Sequence, residues 1–296
     1  MKIAVLGAGS MGHGIAQVSA MAGHDVVLRD LETEFVEDGL EEIHTTLQGG
    51  VDRDKFTAAE MDATLERIDG TTDLEAAVTD ADLVIEAVPE DMDLKQQVFA
   101  DVEATTDEET VIASNTSSLS VTEMASVLDH PERAVGLHFF NPPHLMDLVE
   151  IVIAEQTDEE TETFAVEYVQ DLEKADVIVR DTAGFASSRL GIALGLEAIR
   201  MVDHGVASPA DIDTSMSIGY AHPMGPLELT DHVGLDVRLQ IAEYLREELG
   251  ERFKPPQSLR RKVRAGKLGK KTGEGYYVWE DGERVDMSGQ WGEDDE

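Results

Sequence analysis

The sequence predicts an α/β protein: a doubly wound, Rossmann-type, mainly parallel sheet followed by a smaller all-helical domain. Three observations carry this. A glycine-rich turn joins a strand to a helix near the N-terminus. Short apolar runs then alternate with helical patterns as far as about residue 180. Beyond that point only helical periods remain, punctuated by Gly and Pro.

In chain order, residues 2–7 (KIAVLG) form an apolar run that breaks at glycines. Residues 11–22 read as a helix with Ile15, Val18 and Ala22 on one face, and 25–30 (DVVLRD) complete a strand–helix–strand unit. Further strands are expected at 83–88 (LVIEAV), 111–114 (VIAS), 134–140 (AVGLHFF), 148–154 (LVEIVIA) and 176–179 (DVIV), with helices at 94–102 and 159–172. Runs this apolar suit strands covered on both faces. After residue 182 the segments 187–204, 209–217, 226–249 and 256–265 are helical in period. The expected domains are therefore 1–182 and 183–296.

Composition narrows the function. The chain has 296 residues, 42% of them hydrophobic, which is enough for a core of two domains. It has no cysteine, which excludes disulfides, thiolate catalysis and Cys-ligated metal. Its 62 acids against 23 Lys and Arg give a net charge of −39, which argues against nucleic acid and anionic membranes as partners. Acids so widely spread suit concentrated salt, where screening suppresses self-repulsion; the tail 293–296 is itself wholly acidic. No apolar run is long enough to span a membrane, and the N-terminus enters a strand directly. The expectation is a cytoplasmic, halophile-type protein.

Gly7-Ala8-Gly9-Ser10-Met11-Gly12 is a G-x-G-x-x-G between strand and helix. Gly7 permits the turn, Gly9 lets a pyrophosphate approach the backbone, and Gly12 lets the helix pack on the strand. Asp30 ends the second strand 18 residues past Gly12. An acid there bonds a ribose 2′-hydroxyl and repels a 2′-phosphate, so the cofactor is expected to be NAD.

His138 ends one apolar strand and Glu150 lies inside the next. A carboxylate in an apolar strand needs a partner. If the strands are neighbours, Glu150 fixes the imidazole tautomer of His138, which then takes a proton from an alcohol as hydride leaves for NAD. Ser114-Asn115-Thr116-Ser117-Ser118 ends another strand, where doubly wound sheets bind ligands; Ser118 or Ser120 also suits the cap of a helix starting at Val121. No pairing of the nine histidines suggests a metal site.

The chain resembles the NAD-dependent L-3-hydroxyacyl-CoA dehydrogenases, including the short-chain 3-hydroxybutyryl-CoA enzymes. The resemblance rests on GAGSMG, SNTSSL, HFFNP…LVEI, HPMGPLELTDHVGLD and GKLGKKTGEGYY, and runs to about Trp279. It implies oxidation of a 3-hydroxyacyl-CoA in fatty-acid β-oxidation chemistry, with His138 as general base and Glu150 as its orienting acid. It places Ser117 beside substrate and nicotinamide, Asn141 at the cofactor, and Glu90, Lys95 and Lys271 as further NAD contacts. It also implies a homodimer in which the second domain closes the substrate cleft. Within the same fold, enzymes of free polar hydroxy acids (gulonate- or carnitine-type) are the rival, and a nucleotide-sensing protein is a non-enzymatic one.

Three positions depart from the family pattern: Ser188 replaces an Asn that contacts the substrate's reacting end, His144 a Pro, and Asp147 a Lys. His144 reads as a surface-loop residue. Between Arg252 and Gly273 lie nine of the 23 cations and no acid. That segment is expected to pack against acidic neighbours, to attract phosphates, or both, with Lys271 as its ligand candidate. Arg53 and Lys55 fall near where the family anchors the nucleotide end of CoA.

Overall fold

The computed structural model describes residues 1–287, so the acidic tail lies outside the described residues. The chain divides into two units, Met1–Thr182 and Ala183–Glu296.

The first unit runs β1 (Lys2–Leu6), α1 (Gly12–Met21), β2 (Asp25–Arg29), α2 (Thr33–Val51), α3 (Ala58–Leu65), β3 (Ile68–Thr71), α4 (Leu74–Val78), β4 (Leu83–Glu86), α5 (Met92–Glu103), β5 (Val111–Ser114), α6 (Val121–Ala125), β6 (Ala134–Phe139), β7 (Leu148–Ile153), α7 (Glu159–Asp171) and β8 (Ala175–Arg180). The sheet order is β3-β2-β1-β4-β5-β6-β7-β8. Pairing is parallel from β3 through β6; β7 is antiparallel to β6, and β8 is parallel to β7. The strand order reverses between β1 and β4, which opens a crevice at their carboxyl ends.

Alternate residues of each strand face opposite layers, and both layers are apolar. Ile3, Val5 and Ile85 join one buried cluster with Ile15 and Leu47. Ala4, Leu6 and Val84 join another with Phe99 and Met124. That is why the central strands read as unbroken apolar runs. Strand β3 carries no such run: Ile68-Asp69-Gly70-Thr71 sits at the sheet edge with its two middle residues exposed. Gly70 is held there by packing, since a Cβ would meet Val36 at 2.6 Å. At the opposite edge β8 leaves Val177 and Ile178 exposed despite its apolar sequence.

His24, just before β2, is buried with its Nε2 unpartnered, its ring 5.9 Å from that of Tyr168. Burial, reinforced by the N-terminal amine, holds its pKa below the ordinary 6.5 against Asp171, Asp25 and Asp82. Between the two pKa values the unfolded chain binds the extra proton, so stability rises with pH there and is lost as pH falls below about 6.5. His24→Phe is expected to flatten that part of a Tm-against-pH curve; an identical acid limb in both proteins would refute the assignment.

The second unit comprises α8 (Ser187–Asp203), α9 (Pro209–Gly219), α10 (Pro226–Val233), α11 (Leu235–Leu249), α12 (Gln257–Arg264) and a hairpin of β9 (Tyr277–Glu280) with β10 (Glu283–Met287). Two details differ from the sequence expectation. The period over 226–249 is two helices, because Gly234 takes φ +102° and turns the chain between them. The helical unit also ends on a hairpin, whose Tyr277 and Trp279 point inward and are buried.

Candidate active site

The glycine turn has the shape a dinucleotide needs. A Cβ on Gly7 would sit 2.6 Å from the Ala87 carbonyl oxygen, and one on Gly12 would lie 1.7 Å from the Gly7 carbonyl oxygen. Strand, turn and helix therefore touch through backbone alone. Gly9 has nothing within 4 Å of that position, so its open side can receive a pyrophosphate. Helix α1 has no side-chain cap and no acid in its first turn, which leaves its positive end for an anion. Asp30 accepts from the Ala8 N–H at 2.7 Å and the Leu31 N–H at 2.7 Å, which fixes its carboxylate beside the turn. These residues fit NAD.

Polar groups gather at the carboxyl ends of β4 and β5. Glu86, the last residue of β4, is 1% exposed. Its carboxylate accepts from Lys95 Nζ at 2.7 and 3.0 Å, from Ser114 Oγ at 2.6 Å and from the Val88 N–H at 2.7 Å. Lys95, equally buried, also reaches Glu90 at 3.2 Å. Glu90 in turn accepts from Thr116 Oγ1 at 2.6 Å and the Ser117 N–H at 3.0 Å. The Lys95 ammonium, expected at the cofactor, is enclosed by Glu86 and Glu90 and braces Glu90. Glu86 itself escaped the sequence reading, although an acid in LVIE is the same signal as Glu150 in LVEIV.

The strand pairing brings the histidine and its acid together. In the antiparallel β6–β7 ladder His138 stands directly opposite Glu150. Nδ1 of His138 lies 2.8 Å from Glu150 Oε2, with the side chains 7% and 1% exposed. A carboxylate at that distance favours the tautomer with hydrogen on Nδ1, which makes Nε2 the ring's acceptor nitrogen. The Phe140 ring, 4.6 Å from the imidazole, walls one side. Asn115 ties the serine loop to this strand, its Oδ1 accepting from the Phe139 N–H at 2.9 Å. Ser117 is half-buried on that loop, and Ser120 caps α6 through the Glu123 N–H.

Asn141 is exposed just past β6, where Pro143 packs against α1 at the position a Cβ on Gly14 would fill. His144 is half-buried, and its pKa is lowered by burial and by His13, Arg53 and Lys174, so it is not a plain surface histidine. Arg53 and Lys55 are exposed in the turn after α2. Ser188 opens α8 in the second unit. Lys271, also there, pairs with Asp236 at 2.7 Å. Other cations of its segment also find acids or aromatic rings: Arg260 pairs with Glu243, Lys267 with Glu274, and Lys270 lies over Trp279.

The two longest sequence motifs of that unit prove to be one clasp. Asp231 accepts from the Tyr276 and Tyr277 N–H groups at 2.8 and 2.9 Å and from Trp279 Nε1 at 2.9 Å. A Cβ on Gly275 would come within 2.2 Å of its carboxylate. Burial pushes the Asp231 carboxyl upward against these hydrogen bonds.

Comparison with known proteins agrees with this architecture. The NAD-binding domain of 3-hydroxyacyl-CoA dehydrogenase matches residues 2–182, and the C-terminal domain of the same family matches residues 184–279. The chain belongs to the 3-hydroxyacyl-CoA dehydrogenase family. NAD is its cofactor. A probable 3-hydroxybutyryl-CoA dehydrogenase of Deinococcus radiodurans is 42% identical over 280 residues, 94% of this chain and 100% of that protein. The mitochondrial hydroxyacyl-coenzyme A dehydrogenase of Rattus norvegicus is 40% identical, across 94% of this chain and 90% of its own length. The crystal structure of Mycobacterium tuberculosis FadB2 superposes with a TM-score of 0.92 at 41% identity, covering 94% of this chain and 98% of that one. Like these relatives, this family member is a dehydrogenase.

Proposed function

We propose that this protein reversibly oxidises an L-3-hydroxyacyl-CoA to the 3-oxoacyl-CoA. The observation that carries the reading is the buried His138–Glu150 pair, set opposite each other at 2.8 Å beside the polar ends of β4 and β5. Bound NAD supplies the acceptor for the hydride on C3. His138 Nε2 removes the hydroxyl proton of the same carbon. Glu150 holds the ring and balances the imidazolium that results. Glu90, held by Lys95, positions the Ser117 backbone where substrate and nicotinamide meet. Asn141 and Lys271 contribute on the cofactor side, and Ser188 contacts the reacting end of the substrate. The second unit also makes a homodimer, and the acid excess suits a cytoplasm of high salt.

Oxidation of NADH by acetoacetyl-CoA and by free acetoacetate, each across a salt series, tests the reading. Turnover of the thioester, rising with salt, is expected. Turnover confined to the free acid would replace the reading with the hydroxy-acid one, for which the same pair would serve.

Arg53 and Lys55 are assigned to the phosphates of CoA, because they are exposed cations in a stretch, residues 31–94, whose only other Lys or Arg is Arg67. The double substitution Arg53→Glu/Lys55→Glu is expected to raise KM for acetoacetyl-CoA about tenfold and to spare KM for NADH. Unaltered thioester kinetics would remove the assignment.

A further inference from the structure

Arg238, on α11, is 7% exposed. Among the described residues its guanidinium forms no ion pair and no side-chain hydrogen bond, and its Nε is buried without a partner. Burial alone moves its pKa, down to about 10, and no neighbouring carboxylate opposes the shift. It remains a cation at neutral pH. On its own helix the two nearest acids in sequence are occupied: Asp236 holds Lys271, and Glu243 holds Arg260. Residues 183–196, which include the start of the facing helix α8, contain no acid at all. Among the described residues, then, no carboxylate is paired with this buried arginine.

An isolated buried charge is costly, and native structures seldom leave one unanswered without a reason. The packing shows that the guanidinium has been given room. A Cβ on Gly191 would lie 3.2 Å from Arg238 Nη1, so the glycine in α8 is what admits the side chain. Ser188 lies three residues earlier on α8, on the same face and one turn away. A guanidinium offers a planar fork of donors that matches a carboxylate with two parallel hydrogen bonds.

We propose that Arg238 is a carboxylate receptor, and that the preferred acyl chain of this protein ends in a second carboxylate, as in a 3-hydroxydicarboxylyl thioester. The proposal rests on the dehydrogenase reading above and on the place given there to Ser188. With the reacting carbon at Ser188, a receptor one helical turn further on meets a group a few bonds along the acyl chain.

The test uses the full-length protein with NADH and compares kcat/KM for 3-oxoadipyl-CoA and acetoacetyl-CoA. The wild-type protein is expected to favour the dicarboxylyl thioester. Arg238→Met, of similar volume and without charge, is expected to lower that preference at least about tenfold. An independent readout is thermal stability: glutarate raises Tm, the uncharged glutaramide does not, and the glutarate effect disappears in Arg238→Met. Absence of both the preference and the glutarate effect in the wild-type protein overturns the proposal without any variant, as does a preference that survives Arg238→Met. A variant that changes oligomeric mass while glutarate has no effect would give Arg238 to a carboxylate of a second copy, which also overturns it. If neither thioester is turned over, the dehydrogenase reading fails, yet a glutarate effect lost in Arg238→Met still upholds the receptor.

Discussion

Replacing His138 with glutamine is expected to lower kcat with acetoacetyl-CoA roughly a thousandfold, within the range typical of a lost general base. Glutamine keeps a donor for the buried Glu150 carboxylate, which the histidine now satisfies at 2.8 Å, but it has no nitrogen that accepts a proton at neutral pH. Fold and cofactor binding should therefore persist, since the glycine turn and Asp30 belong to other strands. NAD affinity measured by calorimetry is expected to stay within about twofold. His138→Ala is expected to lose turnover and also some stability, because it removes a hydrogen-bond donor from a carboxylate that is 1% exposed. Turnover of the glutamine variant within tenfold of the parent would show that His138 is not the base.

Lys95→Met is expected to destabilise the first unit by about 3–5 kcal/mol, the usual consequence of removing one partner from a buried ion pair. Lys95 and Glu86 are both 1% exposed and 2.7 Å apart, so neither can exchange its partner for water. Combining the change with Glu86→Gln removes the stranded charge and should restore part of the loss; the coupling between the two sites is then the measurable quantity. Urea denaturation reads the stability, and a loss under about 1 kcal/mol would mean that water reaches the pair. The same variant frees Glu90, so KM for NADH should rise even where the protein stays folded. That second effect separates a positioning role for Lys95 from a merely structural one.

Most of this was legible along the chain because the relevant signals are local. The glycine turn, the strand it leaves and the acid after the second strand lie within 30 residues, and their spacing follows from the geometry of one strand–helix–strand unit. Apolar runs located the central strands because both faces of each are covered. Where that condition lapses the signal lapses too: the edge strand β3 buries neither Asp69 nor Gly70, and the hairpin after α12 is too short to announce itself.

The amino-acid sequence by itself determined the doubly wound class, the dinucleotide turn and which residue types are available for the proposed chemistry. Tertiary structure alone decided which of them meet. His138 and Glu150 are 12 residues apart and become partners only because β7 runs antiparallel to β6 in a register that sets them face to face. Lys95 was set between Glu86 and Glu90, and Arg238 was enclosed with no carboxylate paired to it among the described residues. The physical reason is common to all three: a buried charge takes its meaning from its neighbours in space, and a linear pattern does not specify them.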